Sequence, residues 1–162
     1  MSDNVYLGNP NLKKANTAIE FSQDQVLEFM RCKEDPVYFA NNYIKIVSLD
    51  EGLTQFHPYH FQEKLITNFH ENRFNICKMP RQTGKSTTVV SYLLHYAVFN
   101  DSVNIGILAN KAATARELLG RLQTAYENLP KWMQQGIISW NKGSLELENG
   151  SKILAASTSA SA

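Results

Sequence analysis

The sequence predicts an α/β fold with a parallel sheet, on three observations. From residue 60 to residue 129, stretches with the three-to-four-residue period of a helix alternate with short stretches of strand character. A Gly-Lys-Ser turn stands where one such strand meets the next helix. Near the end, Asn149–Gly150 separates "LELE" from "KIL", the composition of a tight hairpin. Strands joined through helices pair in parallel, because the crossover returns the chain in its original direction.

Residues 1–20 are polar and carry Gly8, Pro10 and "NLKKAN", predicting an arm that is either loose or ordered by contact. Ser22 then caps a helix with Val26, Leu27, Phe29 and Met30 at helical spacing, and Glu20, Asp24 and Glu28 on its exposed side. Pro36 ends it, and Val37 to Ile44 begins another helix. Residues 49–58 read as a turn or short hairpin. "PYHFQEKLITNFHEN" is a helix with Phe61, Leu65, Ile66 and Phe69 on one face.

After Asn72 the period changes, and "RFNICKM" reads as a strand through Phe74 and Ile76. A loop at 80–84 leads into a helix from Lys85 to about Phe99, with Val89, Leu93, Tyr96 and Ala97 as its face. Residues 102–110 form a second, buried-looking strand. Ala112 to Leu129 is a helix with Ala115, Leu118, Leu119, Leu122 and Tyr126 in register, stopped by Pro130. Short strands come next, with Glu146 and Glu148 on a solvated face and Trp132 and Trp140 as packing residues. The expected organisation is an arm and helical segment over 1–50, then the first part of a nucleotide-binding domain over 51–162.

The 162 residues suffice for about one domain with its own core. A formal net charge of +1 excludes a global basic field for nucleic acid, though not a local DNA-binding face. Cys32 and Cys77 have no CxxC spacing and read as reduced thiols. No apolar run approaches the length of a membrane span and the N-terminus lacks a signal-peptide layout, which predicts a cytoplasmic protein. His57 and His60 lack a further ligand at metal spacing.

The chemistry lies in "MPRQTGKSTTVV", residues 79–90. The phosphate-loop pattern G-x-x-x-x-G-K-[ST] is met at Gly84, Lys85 and Ser86, while Met79 stands where the first glycine belongs. Successive loop N–H groups and the N-terminus of the next helix make a seat for phosphate. Gly84 keeps a Cβ out of the way, Lys85 bridges β- and γ-phosphate oxygens, Ser86 puts a hydroxyl on Mg²⁺, and Thr87 donates toward the α-phosphate. The first glycine eases the turn out of the strand without touching phosphate, so another entry can replace it. Arg81 adds an always-charged guanidinium able to reach the γ-phosphate from the same chain.

"RQTGKST", with "NICKM" before it and "TVVSYLLHYAVF" after it, resembles the deviant Walker A segment of phage large terminase subunits. The stretch from "GILANKAATARELL" to "SLELENGSKI" is similar to the region C-terminal to that segment in large terminases of T-even-type tailed bacteriophages. "GNPNLKKAN" and "DPVYFANNYIKI" extend the resemblance over about residues 7–157. The resemblance implies a P-loop NTPase domain of the RecA/ASCE type. Its ATP hydrolysis drives double-stranded DNA through a portal into a procapsid, and a separate nuclease domain cuts the DNA.

It also implies ATP and Mg²⁺ as cofactors. The implied partners are viral DNA, the portal protein, the small terminase subunit and further copies in a ring, in the host cytoplasm and transiently on the procapsid. Phe61 and Gln62 match an adenine-recognising element whose glutamine reads the base edge. Arg81, Gln82, Thr83, Gly84, Lys85, Ser86 and Thr87 map onto the phosphate loop, with Lys85 and Arg81 in the catalytic roles.

The departure is that no apolar run ending in Asp-Glu comes after the second strand, so neither a Walker B aspartate nor a catalytic glutamate stands in this sequence. The expectation is a fragment of a larger protein that by itself binds ATP weakly and hardly hydrolyses it. Alternative readings are a superfamily 2 helicase-like motor, which pairs an upstream glutamine with a phosphate loop, and a non-hydrolysing nucleotide-binding or portal-docking module.

Overall fold

Helix starts are set by local hydrogen bonding. In the computed structural model, which describes residues 4–48, 50 and 52–158, helix α1 (Gln23–Glu34) begins at a capping box. Ser22 Oγ accepts the Gln25 N–H at 3.2 Å and Gln25 Oε1 accepts the Ser22 N–H at 3.0 Å. Asp35 closes α1 and opens α2 (Pro36–Tyr43), its carboxylate accepting the N–H groups of Val37 and Tyr38 at 2.9 Å. Pro36 sits at the first position of α2, where no amide hydrogen is needed.

The inward side of α1 keeps Phe29 of the expected residues and otherwise differs. Val26, Leu27 and Met30 are exposed, whereas Phe29 and Cys32 face the core, Phe29 meeting the Phe99 ring edge-on at 4.9 Å. Glu28, expected in solvent, instead accepts the hydroxyls of Tyr38 and Tyr43 at 2.8 Å each. That tie rotates the Glu28–Phe29–Cys32 side toward α2, a choice the apolar spacing leaves open. Burial, reinforced by the Glu28 carboxylate, pushes the Cys32 thiol up to about 12, so it stays protonated.

Strands β3 (Lys45–Ser48) and β4 (Gly52–Gln55) pair antiparallel, which realises the hairpin alternative for this stretch. The boundary expected at residue 50 falls inside this hairpin. Leu12 and Phe39 share one core with Leu119 and Ile153 across it. Helix α3 (His60–Glu71) buries Ile66, and α4 (Lys85–Phe99) packs between α3 and α5 (Ala112–Glu127). On α4 the buried face runs through Thr88, Ser91, Leu94, His95, Ala97 and Val98; of the expected Val89, Leu93, Tyr96 and Ala97, only Ala97 lies on it. Its polar members hide this face from a hydropathy pattern. Thr88 Oγ1 donates to the Gly84 carbonyl, and His95 Nε2 lies 2.9 Å from the Cys32 carbonyl.

The second strand is β5 (Asn104–Ala109), and the tail forms β6 (Ile137–Trp140), β7 (Ser144–Leu147) and β8 (Lys152–Ser157). They make one mixed sheet of order β5-β8-β7-β6, in which only β5 and β8 run parallel. The sheet packs one face on α5. Leu108 and Leu154 on the other face are exposed, so β5 is half-buried rather than fully buried. Trp132 and Trp140 pack, against the rings of Tyr43 and Tyr126.

The strand expected in "RFNICKM" does not form. Residues 73–80 are a bend and coil paired with no strand among the described residues, and Phe74 and Ile76 are exposed at 82% and 101%. A strand needs a neighbour for its backbone donors and acceptors, and none lies alongside. The molecule is therefore α/β with a mixed sheet, in which the Gly84–Lys85–Ser86 segment comes after coil.

Of the two possibilities for the N-terminal stretch, order by contact holds for residues 4–16, while residues 1–3 lie outside the described residues. Strands β1 (Val5–Tyr6) and β2 (Asn9–Lys13) pair antiparallel, Leu12 is buried, and Ala15 N–H donates to the Ile137 carbonyl. Glu148, expected in solvent, pairs with Lys13 Nζ at 2.8 Å and accepts the Asn16 N–H at 2.9 Å. Gly136 permits this approach, since a Cβ there would stand 2.5 Å from both Ala15 Cα and Glu148 Oε2. Burial alone would raise the Glu148 carboxyl, but Lys13 and the backbone donors of Gly136 and Asn16 hold it below its usual range. Glu148→Ala is expected to cost about 2 kcal/mol, the worth of charge-assisted hydrogen bonds. It should also make residues 4–16 the first site of limited proteolysis; a digestion pattern identical to the parent's would refute this anchoring.

Candidate functional site

The loop and the start of α3 are built against each other. Gln62, in the first turn of α3, is 3% exposed. Its Oε1 accepts the Tyr59 N–H at 2.8 Å and its Nε2 donates to the Thr83 carbonyl at 3.3 Å. Residues 81–84 form a tight turn in which Gln82 and Gly84 both take left-handed φ, 62° and 71°. Thr83 Oγ1 and Lys85 Nζ each donate to the Pro80 carbonyl at 3.1 Å, drawing the turn closed.

Gly84 is also the N-cap of α4, a helix of 15 residues, and provides no side-chain cap. The first-turn N–H groups of such a helix have no intrahelical acceptor, and the helix dipole puts partial positive charge beside them. A side chain at 84 would be excluded twice over: φ is +71°, and its Cβ would stand 2.4 Å from Gln62 Nε2. Among the cations here, the Lys85 ammonium is folded back on its own loop, and the exposed Arg81 pairs with no carboxylate among the described residues.

Beside the loop lies a cavity of about 630 Å³, within the range that small-molecule sites occupy. The β3–β4 hairpin and the segment after it line one side with Ile46, Thr54, Gln55, Phe56 and His57. Tyr59, Phe61 and Gln62 line the second side, and Gln82, Thr83, Gly84 and Thr87 the third. Tyr59 and Phe61 stack face to face at the rim, their ring centroids 5.9 Å apart and their planes 10° apart. Among the described residues, no Asp or Glu lines this cavity.

Six of the residues expected from sequence therefore meet at one cavity: Phe61, Gln62, Gln82, Thr83, Gly84 and Thr87. Arg81, Lys85 and Ser86 do not line it; Lys85 and Ser86 open α4, and Arg81 stands in the turn. Sequence reasoning missed Tyr59, His57, Gln55 and Ile46. A trace of them is present in "TQFHPYHFQ", an aromatic and polar run ahead of α3 whose composition reads first as a turn.

Set beside known proteins, residues 76–162 match the family model described as terminase large subunit, T4likevirus-type, N-terminal. That is more than half of the chain. The chain belongs to the T4-type terminase large subunit family. The match takes in Arg81 to Thr87 and everything after them, and it begins C-terminal to Phe61 and Gln62. Family membership places this terminase chain in phage DNA packaging. Among its described residues no helix is long and apolar enough to cross a membrane, and no group of His, Cys, Asp and Glu is arranged to hold a metal.

Proposed function

We propose that this terminase chain binds ATP with Mg²⁺ at residues 81–87, as the nucleotide-binding part of the motor that drives double-stranded DNA into a procapsid. The observation that carries the reading is the uncapped start of α4 at left-handed Gly84, with Lys85 next to it and a nucleotide-sized cavity alongside. The triphosphate is held by the backbone donors of Gln82 to Ser86, by Lys85 on the β- and γ-oxygens, and by Thr87. Ser86 supplies the hydroxyl that Mg²⁺ takes as a ligand, and Arg81 faces the γ-phosphate. The base lies at the aromatic rim beside Phe61 and Gln62. Bound Mg²⁺ neutralises charge on the phosphates; everything else at the site is done by these side chains and the backbone.

The fold this reading requires is a P-loop NTPase domain of the RecA/ASCE type. Residues 73–80 take up their strand only when a neighbour pairs with them. Double-stranded DNA, the portal protein, the small terminase subunit and further copies in a ring are the partners, met in the host cytoplasm and on the procapsid. Large terminases as a family are ATPases, but among the described residues lining the cavity no carboxylate is placed to polarise an attacking water. The expected result is saturable binding of a fluorescent ATP analogue with Kd of about 0.1–1 mM, dependent on Mg²⁺, with phosphate release barely above background. Brisk turnover by this chain alone would contradict the account of the water, and absence of any Mg²⁺-dependent binding would contradict the site.

A further inference from the structure

We propose that the open edge of β3 takes an extended acidic segment of a partner protein as a third strand, laid in the groove between β3 and helices α4 and α5. Such binding needs no nucleotide.

Strands β3 and β4 form a sheet of two, so each has one edge without a neighbour. The Phe56 N–H donates to the Ile44 carbonyl at 2.8 Å, and the register sets Ile46 opposite Thr54 and Ser48 opposite Gly52. In an antiparallel ladder, residues alternate between bonding the neighbouring strand and turning their backbone groups away from it. Ile44, Ile46 and Ser48 therefore bond toward β4, and Lys45 and Val47 turn their N–H and C=O groups to the open edge. Among the described residues, no hydrogen bond from outside the hairpin reaches those groups. An edge of this kind is a template for a further strand.

The edge opens on a groove. β3 packs on α5, whereas β4 packs on α2. A cavity of about 480 Å³ lies between the run from Ile44 to Val47, Thr87 and Val90 of α4, and Arg121, Thr124 and Ala125 of α5. Ile44, Val90 and Ala125 are buried and apolar, a seat for apolar side chains. Of the polar groups, Thr124 Oγ1 is spent on the Gly120 carbonyl at 3.1 Å. The Thr87 hydroxyl, shared with the first cavity, has no partner among the described residues. Lys45 is exposed and pairs with no carboxylate among them. Arg121 gives Nη2 to the exposed Glu117 at 2.7 Å and has further N–H groups to offer. Among the described residues no carboxylate lines the groove, so its two cations favour a strand whose acidic side chains flank apolar ones. A lipid anion would match the charge but could not bond the alternating donors and acceptors of Lys45 and Val47. A second copy's β3 would bring another Lys45 to this edge, and like charges oppose that pairing.

Three blocked hexapeptides test this on the full chain without nucleotide: alternating Val and Glu, alternating Val and Lys, and the Val-Glu peptide N-methylated throughout. Calorimetry should show saturable binding of the Val-Glu peptide, about fivefold or more tighter than Val-Lys, and no binding of the methylated form. On binding, the Lys45 and Val47 amides should exchange about tenfold more slowly in residue-resolved NMR. Val47→Pro removes one outward N–H and leaves the bonds to β4 in place, so it should weaken the Val-Glu peptide about three- to tenfold. Lys45→Glu combined with Arg121→Glu should reverse the preference in favour of Val-Lys. Equal affinity for the acidic and basic peptides, or binding of the methylated peptide as tightly as its parent, overturns the added strand. So does protection confined to amides outside β3, and so does a chain that binds no Val-Glu peptide. A dimer that protects Lys45 and Val47 without peptide overturns the choice of partner in favour of a second copy. Should the variants fail to fold, the three peptides and the exchange of the parent still decide.

Discussion

Replacing Lys85 by Ala is expected to lower ATP affinity about ten- to a hundredfold, the worth of charge-assisted hydrogen bonds to phosphate, while leaving the fold intact. The fold is spared because the Lys85 ammonium has one partner, the Pro80 carbonyl at 3.1 Å, at the surface of the turn. Thr83 Oγ1 donates to that same carbonyl and remains in place. Binding suffers because the ammonium is the cation nearest the α4 N-terminus in sequence, and the backbone donors beside it carry only partial charge. Lys85→Arg should recover only part of the loss, since a planar guanidinium cannot present a compact charge where the loop closes tightly. Titration of a fluorescent ATP analogue, with circular dichroism to confirm folding, makes the comparison. Unchanged affinity in Lys85→Ala would remove this lysine from the phosphate site.

The second large effect concerns acid stability. His95 is 1% exposed, wedged against Phe39 and Phe99 at ring-centroid distances of 5.5 and 4.9 Å. A carbonyl can only accept, so the bond to Cys32 fixes the proton on Nε2, and Nδ1 is left buried without a partner. Burial, aided by neighbouring His70 and opposed by the Cys32 carbonyl, lowers the His95 pKa from 6.5 to about 4. The folded chain thus refuses a proton that the unfolded chain accepts at 6.5. Stability is complete above that pH, declines as pH falls through it, and stops declining on this account near pH 4.

A shift of this size corresponds to a loss of roughly 3 kcal/mol across the interval. The depressed Glu148 carboxyl adds its own loss in more acid solution, as pH falls below its ordinary value of 4.5. His95→Gln keeps a donor for the Cys32 carbonyl and does not titrate, so its urea midpoint should change little between pH 6.5 and 4.5. If that variant lost stability over the interval as steeply as the parent, His95 would not be the group responsible.

The features legible in the sequence are local. Ser22 with Gln25, Asp35 with Pro36, and Asn149 with Gly150 each set an element boundary through bonds to residues a few positions away. The turn at Gly84, Lys85 and Ser86 is legible for the same reason, since it feeds a helix N-terminus. The facing of α1 is legible only in part, because Val26, Leu27 and Met30 are as apolar as Phe29, which packs on the core as expected, and Cys32, which is buried there. Two tyrosine hydroxyls on the next helix make that choice. Residues 73–79 have the composition of a strand and stay coil, because strand pairing is a property of two segments.

The charged and polar side chains carry the same lesson further. Glu148 reads as solvated, yet it holds Lys13 at a separation of 135 residues. Gln62 is buried, and its amide bonds the carbonyl of Thr83, 21 residues on. The sequence by itself determined an α/β chain with a Gly-Lys-Ser turn at a helix start, since turns, caps and helical periods depend on neighbours in the chain. Only the tertiary structure decided the mixed sheet, the anchored arm and the partner of Gln62. A side-chain amide or carboxylate carries no mark of which distant backbone group will satisfy it, and packing alone brings that group within reach.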